Sequence, residues 1–333
     1  MTGKFSIITS AAIKKIIKSQ SHSIYEMVKL AYIKQGEGIA KNPSSYFLTF
    51  PDKPKSRIIA LPALISQNPR IAGIKWISSN PDNLSNNLKR ASAVIILNDY
   101  DTGYPIACIE GSIISALRTV YSAIIVGEYL SDIKHSKRVI GIIGTGNISK
   151  HFVESIITER WKIDQIVLYD SNYKAAVKLK DEIQNLNRNI KIDIQDDINT
   201  LIINSEMIFL STTSQVPYIR DFSLFKSNTI VLHISLRDLA PEILTASNNI
   251  VDDVDHVLNA NTSPHLVYEK TGNKNFINCT VYELINGYNN FDIKKPIIFS
   301  PMGMGILDLM VANYLYEEAQ RQNLNIEINN FFQ

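Results

Sequence analysis

Gly141-Ile-Ile-Gly-Thr-Gly-Asn-Ile-Ser149 is the stretch that decides the fold. The apolar run Arg138–Ile143 leads into it and helical spacing over 147–159 follows, so it reads as strand, glycine-rich turn and helix. Gly144 permits the tight turn, and Gly146 lets the backbone approach a pyrophosphate held at the positive end of the helix. Thr145, Asn147 and Ile148 complete the cradle. A second β-rich run, Gln165–Tyr169, ends at Asp170, 24 residues beyond Gly146. A carboxylate there accepts hydrogen bonds from adenosine ribose hydroxyls and repels a 2′-phosphate; with no Arg following, NAD is favoured over NADP. Two glycines in a loop can be an ordinary turn, and S-adenosylmethionine folds use similar glycines. The strand, the helix and Asp170 together favour NAD.

Outward from this turn the pattern stays βαβ. A helix is expected over 173–186, with strands near 190–194, 206–211, 229–234 and 249–252. That alternation indicates an α/β chain with a Rossmann-type, doubly wound parallel sheet. Ser211-Thr212-Thr213, at the end of a later strand, fits a loop bordering the cofactor, although a polar strand terminus explains it as well. The N-terminal third differs. Helical spacing over 11–35 precedes the β-rich runs Arg57–Leu61, Ala72–Ile77, Ala93–Leu97 and Pro105–Ile109, with a hairpin at Asn98–Pro105. A helix follows at Ser112–Tyr129, and a last one, about 306–322, opens after Pro301-Met-Gly-Met-Gly305. The expected division is an α+β domain of 1–120 with 310–333 and a nucleotide-binding domain of 121–309.

Bulk composition narrows the class. The 333 residues are 45% apolar and 20% charged, as expected of a globular chain of two domains. A net charge of +2 argues against a nucleic-acid surface or a basic membrane-binding face. Two cysteines are too few for a disulfide framework or a structural zinc site, and His256 and His265 lack partners at ligand spacing, so no metal is expected. Met1–Gln20 lacks a signal-peptide pattern and no run approaches the length of a bilayer span, so a cytoplasmic protein is expected.

Other residues carry a family likeness. Gly73-Ile-Lys-Trp76, Asp101-Thr-Gly-Tyr-Pro-Ile-Ala107, Ala116-Leu-Arg-Thr119 and Pro301-Met-Gly-Met-Gly305 resemble, in order and spacing, the ornithine cyclodeaminase/mu-crystallin family over nearly the whole chain. Within that family the segment from Gly73 through Lys89-Arg-Ala-Ser-Ala-Val-Ile-Ile-Leu-Asn-Asp99, with His233-Ile-Ser-Leu-Arg-Asp238, resembles the dehydrogenases of 2,3-diaminopropionate biosynthesis. Ser149 stands where the fingerprint usually has Gly or Ala, and Val120 where alanine is typical. Both are packing positions.

The resemblance implies roles for four residues, each with a physical rationale. Arg57 and Arg118 would bind substrate carboxylates through planar guanidinium groups, the alternative being inter-element salt bridges. Lys75, between Ile74 and Trp76, would be an acid/base group with its pKa lowered by burial and nearby arginines. Its alternative is a solvent-facing lysine on an edge strand. Asp238, after the run Ile230–Leu236, would activate water or hold the substrate nitrogen, the alternative being a helix N-cap. Arg90 could meet a further carboxylate or be a solvated helix end, and His233 reads as a satisfied core histidine. Thr119, Met302 and Gly303 are expected at the cofactor, Gly303 and Gly305 bringing backbone near the nicotinamide. Asp308 would complement a helix dipole.

The implied activity is NAD-dependent oxidative hydrolysis of N-((2S)-2-amino-2-carboxyethyl)-L-glutamate to 2-oxoglutarate and 2,3-diaminopropionate, a siderophore or antibiotic precursor. A pyridoxal-phosphate-dependent synthase would make the conjugate, and the chain would be a homodimer. The alternatives are an ornithine cyclodeaminase or imino-acid reductase, and a protein that binds NAD(P) and a small ligand without turnover.

Overall fold

The computed structural model describes residues 4–136 and 138–332; Met1–Gly3 and Gln333, the outer ends of the expected domain of 1–120 with 310–333, and Lys137 lie outside the described residues. The chain divides into two compact units, Met1–Arg118 with Met304–Gln333, and Thr119–Gly303. In chain order the first unit contains β1 (Phe5–Ile8), α1 (Ser10–Gly36), β2 (Ala40–Lys41), β3 (Tyr46–Phe50), β4 (Lys53–Ile65), β5 (Ile71–Ser79), β6 (Ala91–Asp99) and β7 (Pro105–Glu110). Helix α2 (Gly111–Leu130) carries the chain across the division. The second unit contains β8 (Arg138–Ile143), α3 (Asn147–Thr158), β9 (Ile163–Tyr169), α4 (Tyr173–Leu186), β10 (Lys191–Ile194), α5 (Ile198–Asn204), β11 (Met207–Leu210) and β12 (Ile230–His233). It continues with α6 (Pro241–Thr245), β13 (Asn248–Val251), α7 (Val254–Val257), α8 (Ser263–Thr271), β14 (Cys279–Thr280), α9 (Val281–Ile285) and β15 (Ile297–Phe299). Helix α10 (Gly305–Arg321) and β16 (Ile326–Ile328) return to the first unit.

The first unit is a mixed sheet in the order β16-β1-β7-β6-β5-β4-β2, with β3 also on β4. Strands β4 to β7 form an antiparallel meander, whereas β1 runs parallel to β7 and antiparallel to β16. The turn signals between the β-rich runs explain the meander. The short outer pair joins residues at opposite ends of the chain. Helix α1 starts at Thr9, whose hydroxyl accepts from the Ala12 N–H, and buries the stripe Ile13, Ile16, Ile24, Val28, Ala31 and Tyr32. It packs on α10, which lies on β4, β5, β6 and β7. A Cβ at Gly305 would stand 3.0 Å from the Leu61 carbonyl oxygen, so glycine lets the start of α10 settle directly on β4.

The second unit is a parallel sheet in the order β10-β9-β8-β11-β12-β15-β13-β14. Its direction of winding reverses between β8 and β11, the topological switch point at which such sheets bind ligands. Ile143, Val167, Ile208, Leu210, Val231 and Ile298 belong to its core. The α/β, doubly wound class expected from the glycine-rich turn is the class observed.

Several expectations need correction. Strand β12 ends at His233, not Leu236, because 234–238 bend away from the ladder. Strand β15, which the sequence reading did not mark, lies between β12 and β13. Contrary to the expectation that no run approaches a bilayer span, α2, at 20 residues, is long and apolar enough to cross one. Ile114, Val120, Ala123, Ile124, Ile125 and Val126 are nevertheless buried inside the protein, which accounts for the apolar composition.

Candidate active site

In the second unit, the glycine-rich turn sits where β8 ends. Gly144 has φ +86°, and a Cβ on it would stand 2.8 Å from the Ser211 carbonyl oxygen, so both conformation and space exclude a side chain. Its N–H donates to the Tyr169 carbonyl at 2.9 Å. Gly146 is the N-cap of α3, no side chain caps it, and nothing lies within 4 Å of where its Cβ would be. No side chain caps the start of this 12-residue helix, and the space beside Gly146 is open, which with the N–H groups that begin at Asn147 and Ile148 fits a pyrophosphate. Asp170 directly follows β9 and accepts from Thr145 N at 2.7 Å, Thr145 Oγ1 at 2.9 Å and Asn172 N at 2.8 Å. A carboxylate offers about four lone-pair positions, so capacity for ribose hydroxyls remains. The residues fit an adenine dinucleotide.

Ser149 proves to be more than a packing substitution. It is fully buried, and its hydroxyl reaches the Gly144 carbonyl at 2.5 Å and the Ser211 hydroxyl at 2.6 Å. The serine ties the turn to the end of β11. Ser211 thus braces the turn, Thr212 bonds Asp238, and Thr213 is exposed.

Asp238 is fully buried. Its Oδ1 accepts from the Thr212 hydroxyl and, at 3.0 Å, from the Tyr218 hydroxyl; its Oδ2 lies 3.3 Å from His233 Nε2. Burial alone would push the carboxyl up, but hydrogen bonding and charge from His233, with help from Thr212, outweigh it and hold Asp238 at about 2. Burial and the adjacent Asp238 push the Tyr218 phenol up. Asp238 is not the N-cap of the following helix; Ala240 is. His233 is satisfied on both sides, its Nδ1 standing 3.1 Å from the Ser300 hydroxyl.

The Met302–Gly303 backbone meets a carboxylate that sequence reasoning missed. Asp252, buried after β13, accepts from Met302 N at 3.1 Å and Gly303 N at 2.5 Å, and burial raises its pKa. These two N–H groups hold the loop in place. Thr119 opens the second unit in mid-α2, half-buried.

In the first unit, Lys75 lies in β5, flanked on both sides by β4 and β6, and is 1% exposed. The edge-strand alternative is excluded. Its register partners Leu61 and Ile95 face inward with it, while neighbouring Trp76 faces out at 40% exposure. Lys75 Nζ donates to Asp308 Oδ2 at 2.6 Å and to the Ser115 hydroxyl at 3.2 Å; Arg118 Nε donates to Asp308 Oδ1 at 3.2 Å. Burial, then the Arg118 charge, lower Lys75 to about 8, against the pull of Asp308. Asp308 is fully buried between two cations, so the reading of it as a dipole complement was too modest. A signal was present: it is the lone acid in Ile306-Leu-Asp-Leu-Met-Val311, where an otherwise apolar turn implies burial.

Arg57 shares the Lys75 face of the sheet, because Leu61, four residues along β4, is the register partner of Lys75. Arg57 pairs with Ser79, and Arg90 donates to the Ser79 hydroxyl at 2.7 Å. Arg90 follows the 3-10 turn Pro81–Asn86 and immediately precedes β6, so the expected helix end is a strand start. The structure thus gathers Arg57 and Arg90 at one end of this face, about 13 Å along β5 from Lys75. Lys75 sits with Arg118 and Asp308.

Comparisons with known proteins bear on this arrangement. The sequence pattern of the ornithine cyclodeaminase/mu-crystallin family matches residues 6–323. An N-((2S)-2-amino-2-carboxyethyl)-L-glutamate dehydrogenase of Staphylococcus aureus is 32% identical over 278 residues, 82% of each chain. A Thermococcus litoralis Δ1-pyrroline-2-carboxylate reductase, solved with NADH and L-proline, superposes with a TM-score of 0.89 at 22% identity, over 97% of this chain and 100% of that one. An archaeal alanine dehydrogenase dimer with bound NAD gives 0.85 at 25% identity, over 98% and 100%.

Proposed function

The chain belongs to the ornithine cyclodeaminase/mu-crystallin family, and we propose that within it this protein is an NAD-dependent dehydrogenase that cleaves N-((2S)-2-amino-2-carboxyethyl)-L-glutamate into 2-oxoglutarate and 2,3-diaminopropionate. The coarser reading, an oxidoreductase acting on a C–N bond of an amino acid with NAD, is carried by the open helix N-terminus beside Asp170 and by the named activities of the relatives. The finer one is supported by the S. aureus relative and by the cations on one face of the first unit, Arg57, Arg90, Lys75 and Arg118, which suit a substrate with several carboxylates.

NAD, when bound, supplies the acceptor for hydride from the glutamate α-carbon. Arg57 and Arg118 hold carboxylates, with Arg90 available to a further one. Asp238, ionised at working pH, offsets the positive charge that develops on the substrate nitrogen. Lys75, neutral above about pH 8, takes a proton from the water that adds to the C=N carbon. Returning that proton to nitrogen lets the C–N bond break, so atoms balance as substrate plus water plus NAD giving 2-oxoglutarate, diaminopropionate, NADH and a proton. A carboxyl held at about 2 is a weak base near neutrality, which favours Lys75 over Asp238 for the water.

A second copy of the chain is the proposed partner. The sheet face opposite Lys75 carries Leu64, Ile74, Trp76, Val94 and Ile96, all at least partly exposed, and an apolar patch of this kind marks an association surface. The reading also includes a cytoplasmic setting, a pyridoxal-phosphate-dependent synthase that supplies the conjugate, and use of the product in siderophore or antibiotic synthesis. Incubating the purified chain with NAD and the conjugate tests the central reaction: one NADH per 2-oxoglutarate is expected. Proline and ammonia from ornithine, without NADH from the conjugate, would instead identify a cyclodeaminase.

A further inference from the structure

We propose that Asp308 is the positioning residue of the proposed active site, its single carboxylate fixing Lys75 and Arg118 together and setting the charge that the pair presents to substrate. The proposal rests on the preceding reading of Lys75 and Arg118. Three segments far apart in sequence meet here: β5, α2 and the first turn of α10. One carboxylate oxygen takes Lys75 Nζ at 2.6 Å and the other takes Arg118 Nε at 3.2 Å, so neither cation can move without breaking a buried, charge-assisted bond. The helix that carries Asp308 is itself located by Gly305 against β4 and by Asn42, whose side-chain oxygen accepts from Ile306 N at 2.9 Å. A residue that merely complemented a helix dipole would need none of these partners.

The charge count gives the arrangement its chemical meaning. Below about pH 8, while Lys75 is protonated, two cations and one anion leave one net positive charge in a buried cluster, which one substrate carboxylate would neutralise. The groups facing Lys75 are Asp308 from α10 and Arg118 and Ser115 from α2, while its neighbours on β4 and β6, Leu61 and Ile95, are apolar. Among the described residues, Asp308 is therefore the anion that keeps Lys75 from losing its proton more readily still. Removing that charge leaves two cations side by side.

The test is a titration of Lys75 in the full chain carrying lysine labelled with carbon-13 at Cε, the Lys75→Met spectrum assigning the signal. In Asp308→Asn the midpoint is expected to fall by about one pH unit or more, and the rising limb of kcat/KM to move with it. A midpoint unchanged from the wild type would overturn the proposal, because a purely structural aspartate could alter kcat without moving the titration. Asp308→Glu guards against failure of the Asn variant to fold. It keeps the charge but displaces it, so the midpoint should hold while kcat drops about tenfold or more; wild-type kcat and KM would count against positioning. The titration needs no substrate, so an inactive chain would defeat the assigned reaction and still leave Asp308 to be judged.

Discussion

The corner around Gly144 and the cluster around Lys75 are built in opposite ways. At the corner, Gly144, Thr145, Gly146 and Ser149 lie within one six-residue stretch, and their partners Asp170 and Ser211 directly follow the strands on either side of β8. The backbone does most of the work there, through N–H groups at a helix start. In the cluster, Lys75, Arg118 and Asp308 come from three segments and meet only through their side chains. The first site needs only β8 and the two strands beside it; the second needs β5, α2 and α10 brought together from across the first unit. Mutations should accordingly separate the two, abolishing chemistry while sparing cofactor binding, or the reverse.

The largest effect should come from Lys75→Ala. Loss of a general base costs about 10²- to 10⁴-fold in kcat, while the dissociation constant for NAD should stay within about twofold of wild type. Calorimetric titration with NAD beside steady-state kinetics would show this, and a parallel loss of both would erase the contrast. In the wild type, kcat/KM should rise with pH and level off near the Lys75 value of about 8, since only the neutral amine accepts a proton. Asp238, held at about 2, stays ionised and should add no limb between about pH 4 and 8.

Two neighbouring glycines sharpen the comparison from the other side. In Gly144→Ala the added methyl meets the Ser211 backbone at a positive φ, so thermal unfolding should show a loss of about 2 kcal/mol or more. Gly146→Ala meets nothing in the protein, so its Tm should be little changed. A pyrophosphate at that helix start would instead meet the methyl, weakening NAD about tenfold or more. Equal behaviour of the two variants would place the dinucleotide elsewhere.

The smallest effect expected is that of Ser149→Ala. It removes a buried hydroxyl that bonds Gly144 and Ser211, worth about 1 kcal/mol, and a chemical denaturation curve would resolve it. An unchanged midpoint would return Ser149 to a simple packing role.

The same contrast explains what could be read in advance. The parallel sheet and its glycine-rich turn follow from local periodicity, as do α1, the meander β4 to β7 and α10. Strands β14 and β15, two and three residues long, are too short to show a period, and β1 pairs with β16 across nearly the whole chain. In β5 hydrophobicity misleads: Lys75 points in and Trp76 out, because the buried charge is stabilised by Asp308 from a distant helix. No spacing rule connects residues 75, 118 and 308. Asp238 was recognisable by resemblance, but Thr212 and Tyr218, which hold it, were not, since their contact depends on how the chain turns after β12.

The central claim is that hydride leaves the glutamate α-carbon of the conjugate and stays on the cofactor. Its most direct test uses conjugate carrying deuterium at that carbon, with mass analysis of NADH and both products after turnover. One deuterium is expected in the reduced cofactor and none in 2-oxoglutarate, with equal amounts of NADH and 2,3-diaminopropionate. Deuterium returned to an amino-acid product without net NADH, or released to water, would contradict it.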